Sequence, residues 1–222
     1  MKLRPLTLAY VGFALLGILV LGAFLREHVA SRATPAPAAM QTKGAPASPD
    51  HTGGIPSVRP LFTLPDLTGH RHSITEWDGH ALMVNFWATW CAPCRREIPL
   101  LNALSTEYAS KNVKIVGIAV DFMEDVQKFT ARTPLHYDLL VGEEDGLEAA
   151  RGFGVDSLAF PFTAFTDQSG HVLTVHIGEL HEDQARAILT VVDQVNRGEV
   201  TAPQARPLIE RALAALKRTD PS

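Results

Sequence analysis

Cysteine and basic charge are both scarce in this sequence. Its 222 residues include two cysteines, and 20 basic against 24 acidic side chains give a formal net charge of −4. Because two cysteines cannot form a network of disulfide bonds, we expect a hydrophobic core to hold the fold together. A negatively charged chain offers no basic surface that attracts nucleic acid, so a nucleic-acid-binding function is not expected.

Metal ligands in a suitable arrangement are missing as well. A structural zinc site usually needs four ligands, and the sequence has no second cysteine pair or suitably spaced histidine pair to complete one. His70 and His72 lie close together, but a loop with two histidines and no third ligand is typical of a protein surface. We therefore expect no bound metal and no cofactor.

Charged residues are absent from Leu6 to Leu25, a largely apolar run of 20 residues. As a helix with a rise of ~1.5 Å per residue, this run would span ~30 Å, the thickness of a bilayer core. Lys2 and Arg4 precede it and favour a cytoplasmic amino terminus. The apolar part of a cleaved signal peptide is shorter, ~7–15 residues, so residues 1–28 are predicted to be a single-pass anchor. Cleavage after Val29 is the alternative.

The rest of the chain divides into a linker, a folded domain and an extension. Residues 29–57 are rich in Ala, Pro, Ser, Thr and Gly and lack apolar periodicity, which predicts a flexible tether. Residues 58–198 are the predicted folded domain. Residues 199–222 form a C-terminal extension, in which the pattern at 205–217 is compatible with an amphipathic helix.

Strand and helix patterns alternate along the folded domain. Two short extended segments, 61–64 and 71–74, flank a turn at Thr68-Gly69 and are expected to form an edge hairpin. The alternation that follows predicts an α/β fold with a mainly parallel sheet. The predicted strands are 81–88, 113–120, 137–141, 162–166 and 172–177, and the predicted helices begin at Pro93 or cover 124–131, 147–151 and 182–196.

The two cysteines lie where a buried strand passes into a helix, in the sequence Trp90-Cys91-Ala92-Pro93-Cys94. Two cysteines at this spacing can form a small disulfide ring, and the positive end of the helix dipole stabilises a thiolate on the first of them. Cys91 is therefore the expected nucleophile, which attacks a partner's disulfide, and Cys94 is the expected resolving cysteine. The alternative is a pair of inert buried cysteines or half of a metal site.

Glu97 is a further candidate catalytic residue. It shares one helical face with Cys94 and Leu101, which points its side chain inward, and the positions three and four residues away carry no basic partner. A buried carboxyl group has a raised pKa and can exchange a proton with a nearby thiol. The alternative is a solvated glutamate in the first helical turn, where the helix dipole favours it.

The segment from Asn85 to Pro99 closely resembles the active-site segment of the TlpA/ResA-like branch of the thioredoxin superfamily. The likeness extends over residues 58–198 and includes the stretch from Phe62 to Gly69 and a proline before the strand that starts at Phe162. It implies a thioredoxin-like fold, with a central mixed sheet flanked by helices and an N-terminal hairpin extension, here preceded by the predicted transmembrane helix.

The resemblance also implies roles for residues around the cysteines. Glu97 would exchange a proton with Cys94 during reduction, and Pro161 would be a cis proline beside the disulfide that exposes backbone to a substrate strand. Trp90 and Phe160 are expected to contact the substrate, and Phe160 stands where a small or β-branched residue is more usual. Without the resemblance, Pro161 would be interpreted as an ordinary trans proline at a strand edge.

By resemblance, the function is that of an extracytoplasmic thiol–disulfide oxidoreductase that reduces disulfides in partner proteins. Its electrons would come from a transmembrane thiol-reducing protein, and its clients would be apocytochrome c or copper-site cysteines of oxidase assembly proteins. The expected location is the bacterial inner membrane, with one membrane span and the catalytic domain facing the periplasm. Three alternatives stay open: an oxidase that introduces disulfides, a copper-binding assembly chaperone on the same fold, and a peroxidase with a single activated cysteine.

Overall fold

The computed structural model describes residues 54–155 and 159–219 of the chain. The predicted anchor, residues 1–28, and all but the end of the predicted linker, residues 29–57, lie outside the described residues. Within the part of the chain that the structure describes, no helix combines the length and the apolar character that crossing a membrane requires.

A short hairpin precedes the main sheet. Its strands, β1 (Thr63–Pro65) and β2 (Arg71–Ser73), pair antiparallel, which confirms the predicted hairpin. They form a two-stranded sheet of their own and do not extend the edge of the main sheet. Leu64 is almost fully buried and belongs to the hydrophobic core. The hairpin therefore packs on the domain through this side chain, without backbone pairing to the main sheet.

A five-stranded mixed sheet forms the centre of the domain, as the resemblance implies. Its strands are β3 (Ala81–Trp87), β4 (Val113–Val120), β5 (Asp138–Gly142), β6 (Phe162–Thr166) and β7 (Val172–Ile177). They stand in the order β5-β4-β3-β6-β7, in which β3, β4 and β5 are parallel and β6 is antiparallel to both of its neighbours. The central position of β3 places its carboxyl end, where the cysteines follow, in the middle of one sheet edge.

Five α-helices accompany the sheet in the described residues. They are α1 (Ala92–Tyr108), α2 (Met123–Thr130), α3 (Glu144–Gly152), α4 (Glu182–Asn196) and α5 (Ala202–Thr219). The bounds of α4 match the prediction, and α4 ends before Gly198, whose positive φ of 74° suits a glycine after a helix. Pro99 lies inside α1, and α1 continues through it.

Both faces of the sheet are buried, and β3 shows this most clearly because all seven of its residues are buried. Ala81 and Met83 belong to the core that includes residues of α1, α4 and α5. Leu82, Val84 and Phe86 belong to the core that includes residues of α3 and the hairpin. The continuous apolar pattern of β3 in the sequence therefore reflects a strand between two cores.

The last helix, α5, is part of the packed domain. Ala205 and Ile209 are fully buried and belong to the same core as residues of α4. This arrangement confirms an amphipathic helix in this region, although α5 starts three residues before the predicted 205–217 and ends two residues after it. The segment that the sequence sets apart as an extension thus contributes side chains to the core.

Candidate active site

Cys91 and Cys94 form a disulfide bond at the start of α1. Cys91 is the residue that caps the helix, and the backbone N–H of Cys94 donates a hydrogen bond to Cys91 Sγ at 3.3 Å. Cys91 is 5% exposed and Cys94 is 1% exposed, so Cys91 is the more accessible of two well-covered sulfurs. After reduction, the same N–H and the positive end of the helix dipole would stabilise a thiolate on Cys91.

The loop before the disulfide is fixed by an aspartate that the sequence analysis missed. Asp121 Oδ2 accepts hydrogen bonds from the backbone N–H of Thr89 at 2.9 Å and from its hydroxyl at 2.5 Å. The Arg95 guanidinium donates to the carbonyl of Thr89 at 3.1 Å. Asp121 directly follows β4, and the carboxyl ends of neighbouring parallel strands meet at one sheet edge, which is the signal that could have identified it.

Several apolar side chains are exposed on the loop before the disulfide and on elements that follow β4 and β6. Trp90 and Phe122 are 60% and 61% exposed, and both belong to loops that Asp121 holds through backbone N–H groups. Phe160 packs against the cluster that contains both cysteines, and its ring centroid lies 6.2 Å from that of Trp90. Ile177, also 61% exposed, pairs with Phe162. Apolar surface of this kind typically marks a contact site for a partner.

Pro161 follows Phe160 through a cis peptide bond, as the resemblance implies. The carbonyl of Pro161 accepts a hydrogen bond from the backbone N–H of Gly178 at 2.9 Å. This hydrogen bond engages one of the two lone pairs of the carbonyl oxygen.

Glu97 is only 2% exposed, which confirms the predicted inward orientation of its side chain. Its Oε1 accepts a hydrogen bond from Asn85 Nδ2 at 2.7 Å, and its Oε2 accepts one from the backbone N–H of Leu180 at 3.0 Å. Burial raises the pKa of Glu97 to about 7, against the opposing effect of these two hydrogen bonds. The carboxyl group can therefore both take up and release a proton near neutral pH.

Asn85 connects Glu97 to the sheet. Its side chain is fully buried, and Nδ2 donates a second hydrogen bond, to Thr163 Oγ1, at 3.0 Å. Its Oδ1 is buried and has no hydrogen-bond partner. Since an amide cannot titrate, Asn85 orients the carboxyl group without competing for its proton.

Ligands for a metal ion do not converge in the described part of the chain, where no group of three His, Cys, Asp or Glu side chains could hold one. His72, considered from the sequence as half of a metal-binding pair, has its ring nitrogens hydrogen-bonded to Glu76 and Asp66 at 2.7 and 3.3 Å. A cavity of about 750 Å³ lies between the hairpin and β5, and neither cysteine lines it.

Comparison with known proteins gives consistent matches. Residues 57–175 match the AhpC/TSA family. The chain is 32% identical over 133 residues to the thiol-disulfide oxidoreductase ResA of Geobacillus thermodenitrificans, covering 60% of this chain and 74% of that one. It is 31% identical over 127 residues to the thioredoxin-like protein YneN of Bacillus subtilis, covering 54% of this chain and 70% of that one.

A solved structure gives the same result. The crystal structure of a putative thiol:disulfide interchange protein DsbE from Chlorobium tepidum superposes with a TM-score of 0.56 at 27% sequence identity. The match covers 63% of this chain and 98% of the other. The thioredoxin-like arrangement of sheet and helices is thus shared with proteins whose names refer to disulfide exchange.

Proposed function

Because the chain belongs to the AhpC/TSA family and is a thiol–disulfide oxidoreductase of the ResA and DsbE type, we propose that it works as a reductase of disulfides in partner proteins. The observation that carries this proposal is the Cys91–Cys94 disulfide at the start of α1, with the buried carboxyl group of Glu97 one helical turn further on. This arrangement supports the roles of nucleophile for Cys91, resolving thiol for Cys94 and proton acceptor for Glu97.

The first step uses the reduced form of the protein. The Cys91 thiolate attacks one sulfur of the partner's disulfide, the partner's S–S bond breaks, and a mixed disulfide forms. The second partner sulfur leaves as a thiolate and takes up a proton from solvent. The exposed ring of Trp90 and the half-buried ring of Phe160 support a role in holding the partner's chain over the sulfur.

The second step releases the partner. Cys94 loses its thiol proton to the Glu97 carboxylate, and the resulting thiolate attacks Cys91 Sγ. The Cys91–Cys94 bond forms, the mixed disulfide breaks, and the partner leaves with both of its sulfurs reduced. Two electrons have passed to the partner, and Glu97 returns its proton to the departing thiolate or to solvent. A pKa near 7 makes Glu97 suitable for both directions of this transfer.

The direction of electron flow is the finer part of the proposal. A strongly oxidising dithiol needs a strongly stabilised thiolate on its first cysteine. Here the Arg95 guanidinium, on the first turn of α1, donates to the carbonyl of Thr89, and the hydrogen bond to Cys91 Sγ comes from a neutral backbone N–H. A neutral donor stabilises a thiolate less than a charged donor does, which supports the reductase direction.

The cellular setting follows from the sequence and remains part of the proposal. With residues 1–28 as an anchor, the domain would face the periplasm from the bacterial inner membrane. Disulfides form readily in that compartment, so a reductase there needs a membrane-spanning dithiol donor that returns two electrons to Cys91 and Cys94. By resemblance, the clients are apocytochrome c or copper-site cysteines of oxidase assembly proteins.

The reduction potential of the Cys91–Cys94 disulfide tests the direction. Equilibration against defined dithiol buffers should give a value near thioredoxin's ~−270 mV, whereas ~−120 mV is the range of a strong oxidase. The second value would overturn the reductase and make disulfide introduction the function.

A trapping experiment tests the roles of the two cysteines. The Cys94→Ser variant should accumulate a mixed disulfide on Cys91 that a small dithiol reverses and that mass spectrometry identifies. The matched Cys91→Ser variant should accumulate none. An adduct that forms on Cys94 instead would show that the order of the two cysteines is the reverse of the one proposed.

A further inference from the structure

A second cavity, of about 440 Å³, lies beside Glu97 between α1 and the start of α4. Glu97 is one of the residues that line it, so the buried carboxyl group borders a space that opens toward the surface. The charged residues that share this lining are Arg96, Glu179, His181, Glu182 and Arg186. The surroundings of Glu97 therefore include several charges that the disulfide chemistry alone does not explain.

Two of these charged residues, Arg96 and Glu179, form an ion pair. Arg96 Nε donates to both carboxylate oxygens of Glu179 at 3.1 Å, and the guanidinium makes a further close contact with Oε2. The two residues are 83 positions apart in the sequence, so tertiary structure brings them together. Both residues are also close to Glu97 along the chain contacts of this site. Arg96 directly precedes Glu97, and Glu179 directly precedes Leu180, whose N–H donates a hydrogen bond to Glu97 Oε2.

One charge of the pair acts on Glu97 directly, and the other acts on Glu97 through its partner. Burial is the largest cause of the raised pKa of Glu97, and the negative charge of Glu179 raises this pKa further. Arg96 lowers the pKa of Glu179 by hydrogen bonding, which keeps Glu179 ionised, and its positive charge offsets part of the repulsion between the two carboxylates. The balance between Arg96 and Glu179 thus affects the ease with which Glu97 ionises.

Other charged groups near Glu97 are already engaged. Arg186 binds Glu107 and Glu182 across the outer side of the cavity. His181 caps the start of α4. On the opposite side, burial and the charge of Glu97 raise the pKa of Tyr137 above its usual range, so Tyr137 stays neutral. Among the charges that line this cavity, Glu179 is therefore the one that raises the pKa of Glu97, and Arg96 is bound to it.

We infer that the Arg96–Glu179 ion pair is a positioning element of the redox site, which sets how readily Glu97 takes and releases the proton of Cys94. The inference rests on the proposed function, because Glu97 serves Cys94 only there. In this arrangement the pair controls the pH at which the mixed disulfide is resolved, without touching either sulfur. A purely structural pair would only fasten α1 to the segment before α4.

The test removes each charge in turn from the full chain. In Arg96→Gln, the carboxylate of Glu179 loses its partner, so the titration midpoint of Glu97 should rise by about half a pH unit or more. In Glu179→Gln, the repelling charge is gone and the midpoint should fall by a similar amount. The midpoint is measured by NMR with ¹³C-labelled glutamate, and Glu97→Gln identifies the resonance. Arg197→Gln, which breaks an exposed pair with Asp193 and Glu199, is the control and should leave it unchanged.

The rate at which a preformed mixed disulfide releases its partner, measured across pH, is the second readout. Its midpoint should move in the same opposite directions in Arg96→Gln and Glu179→Gln. If the Glu97 midpoint stays fixed, or moves the same way in both variants, the pair is structural and the inference fails. If the Glu97 midpoint moves as expected while the release profile does not, the ion pair does control Glu97, and it is the proposed service of Glu97 to Cys94 that fails.

Discussion

The two glutamates of α1 lie in opposite surroundings, and their pKa values shift in opposite directions. Glu97, in the first half, is buried and accepts hydrogen bonds only from uncharged groups, and its burial raises its pKa to about 7. Glu107, in the second half, is accessible and bound by Arg186, whose hydrogen bonds lower its pKa. The same residue type on the same helix thus has a raised pKa at one end and a lowered pKa at the other.

The inward-facing residues of the two halves of α1 show how the helix combines a polar site with a stable core. In the first half, Cys94 and Glu97 occupy inward positions that apolar residues would fill more favourably. In the second half, Leu101, Leu104 and Tyr108 occupy the inward positions and contact the residues of α4 and β4 in the main core. The second half holds the helix in place, and this support allows the first half to keep a buried carboxyl group next to the sulfurs.

Leu101→Ala tests whether the second half provides this support. Leu101 is fully buried, so the truncation should lower the free energy of unfolding by about 2–5 kcal/mol through lost burial and a residual cavity. The reduction potential of the disulfide should keep its wild-type value, because the surroundings of the sulfurs are untouched. Urea denaturation and redox equilibration measure the two effects. A changed potential with little loss of stability would contradict the division of α1 into a supporting and a reacting half.

Glu97→Gln tests the cost of the buried carboxyl group in the first half. The folded pKa of about 7 lies above the ordinary value of 4.5. Below pH 4.5 the carboxyl group is protonated in both the folded and the unfolded chain; as pH rises toward 7, the unfolded chain releases the proton first, so folding stability falls. This loss is absent in Glu97→Gln and amounts to roughly 3–4 kcal/mol at most in the wild type.

The comparison of variant and wild type by urea denaturation of the oxidised protein at pH 4.5 and pH 8 isolates this effect from the other titrating groups. Glu97→Gln should gain stability relative to the wild type as pH rises. Parallel stability profiles would mean that Glu97 titrates as an ordinary solvated carboxyl group, which is the alternative that the sequence left open.

Patterns within short stretches of sequence predicted most of the fold. The strands 113–120, 162–166 and 172–177 and the helix 182–196 have the predicted bounds, because each is a continuous apolar or amphipathic stretch between clear turn signals. The start of α3 was predicted three residues late, since Glu144 and its two successors carry no apolar pattern. Periodicity cannot detect a first helical turn that lacks apolar side chains.

The candidate site was predictable as far as neighbours in sequence define it. The cysteine pair follows from its spacing, and the burial of Glu97 follows from its place on the helical face. Asp121 and the Arg96–Glu179 pair were not found, because 32 residues separate Asp121 from Thr89 and 83 separate Arg96 from Glu179. Such contacts depend on the order of strands in the sheet, which a single sequence does not state.

Glu107→Gln gives the smallest expected effect and completes the comparison. Glu107 and Arg186 are both accessible, and solvent screens their attraction, so the variant should change the melting temperature by no more than about 2 °C. The pH at which the mixed disulfide is resolved should not move, because Glu107 is not among the groups that shift the pKa of Glu97. Thermal unfolding and the pH profile of partner release measure both. A large change in either would mean that charges at the two ends of α1 act together, and the contrast between Glu97 and Glu107 could no longer be explained by burial alone.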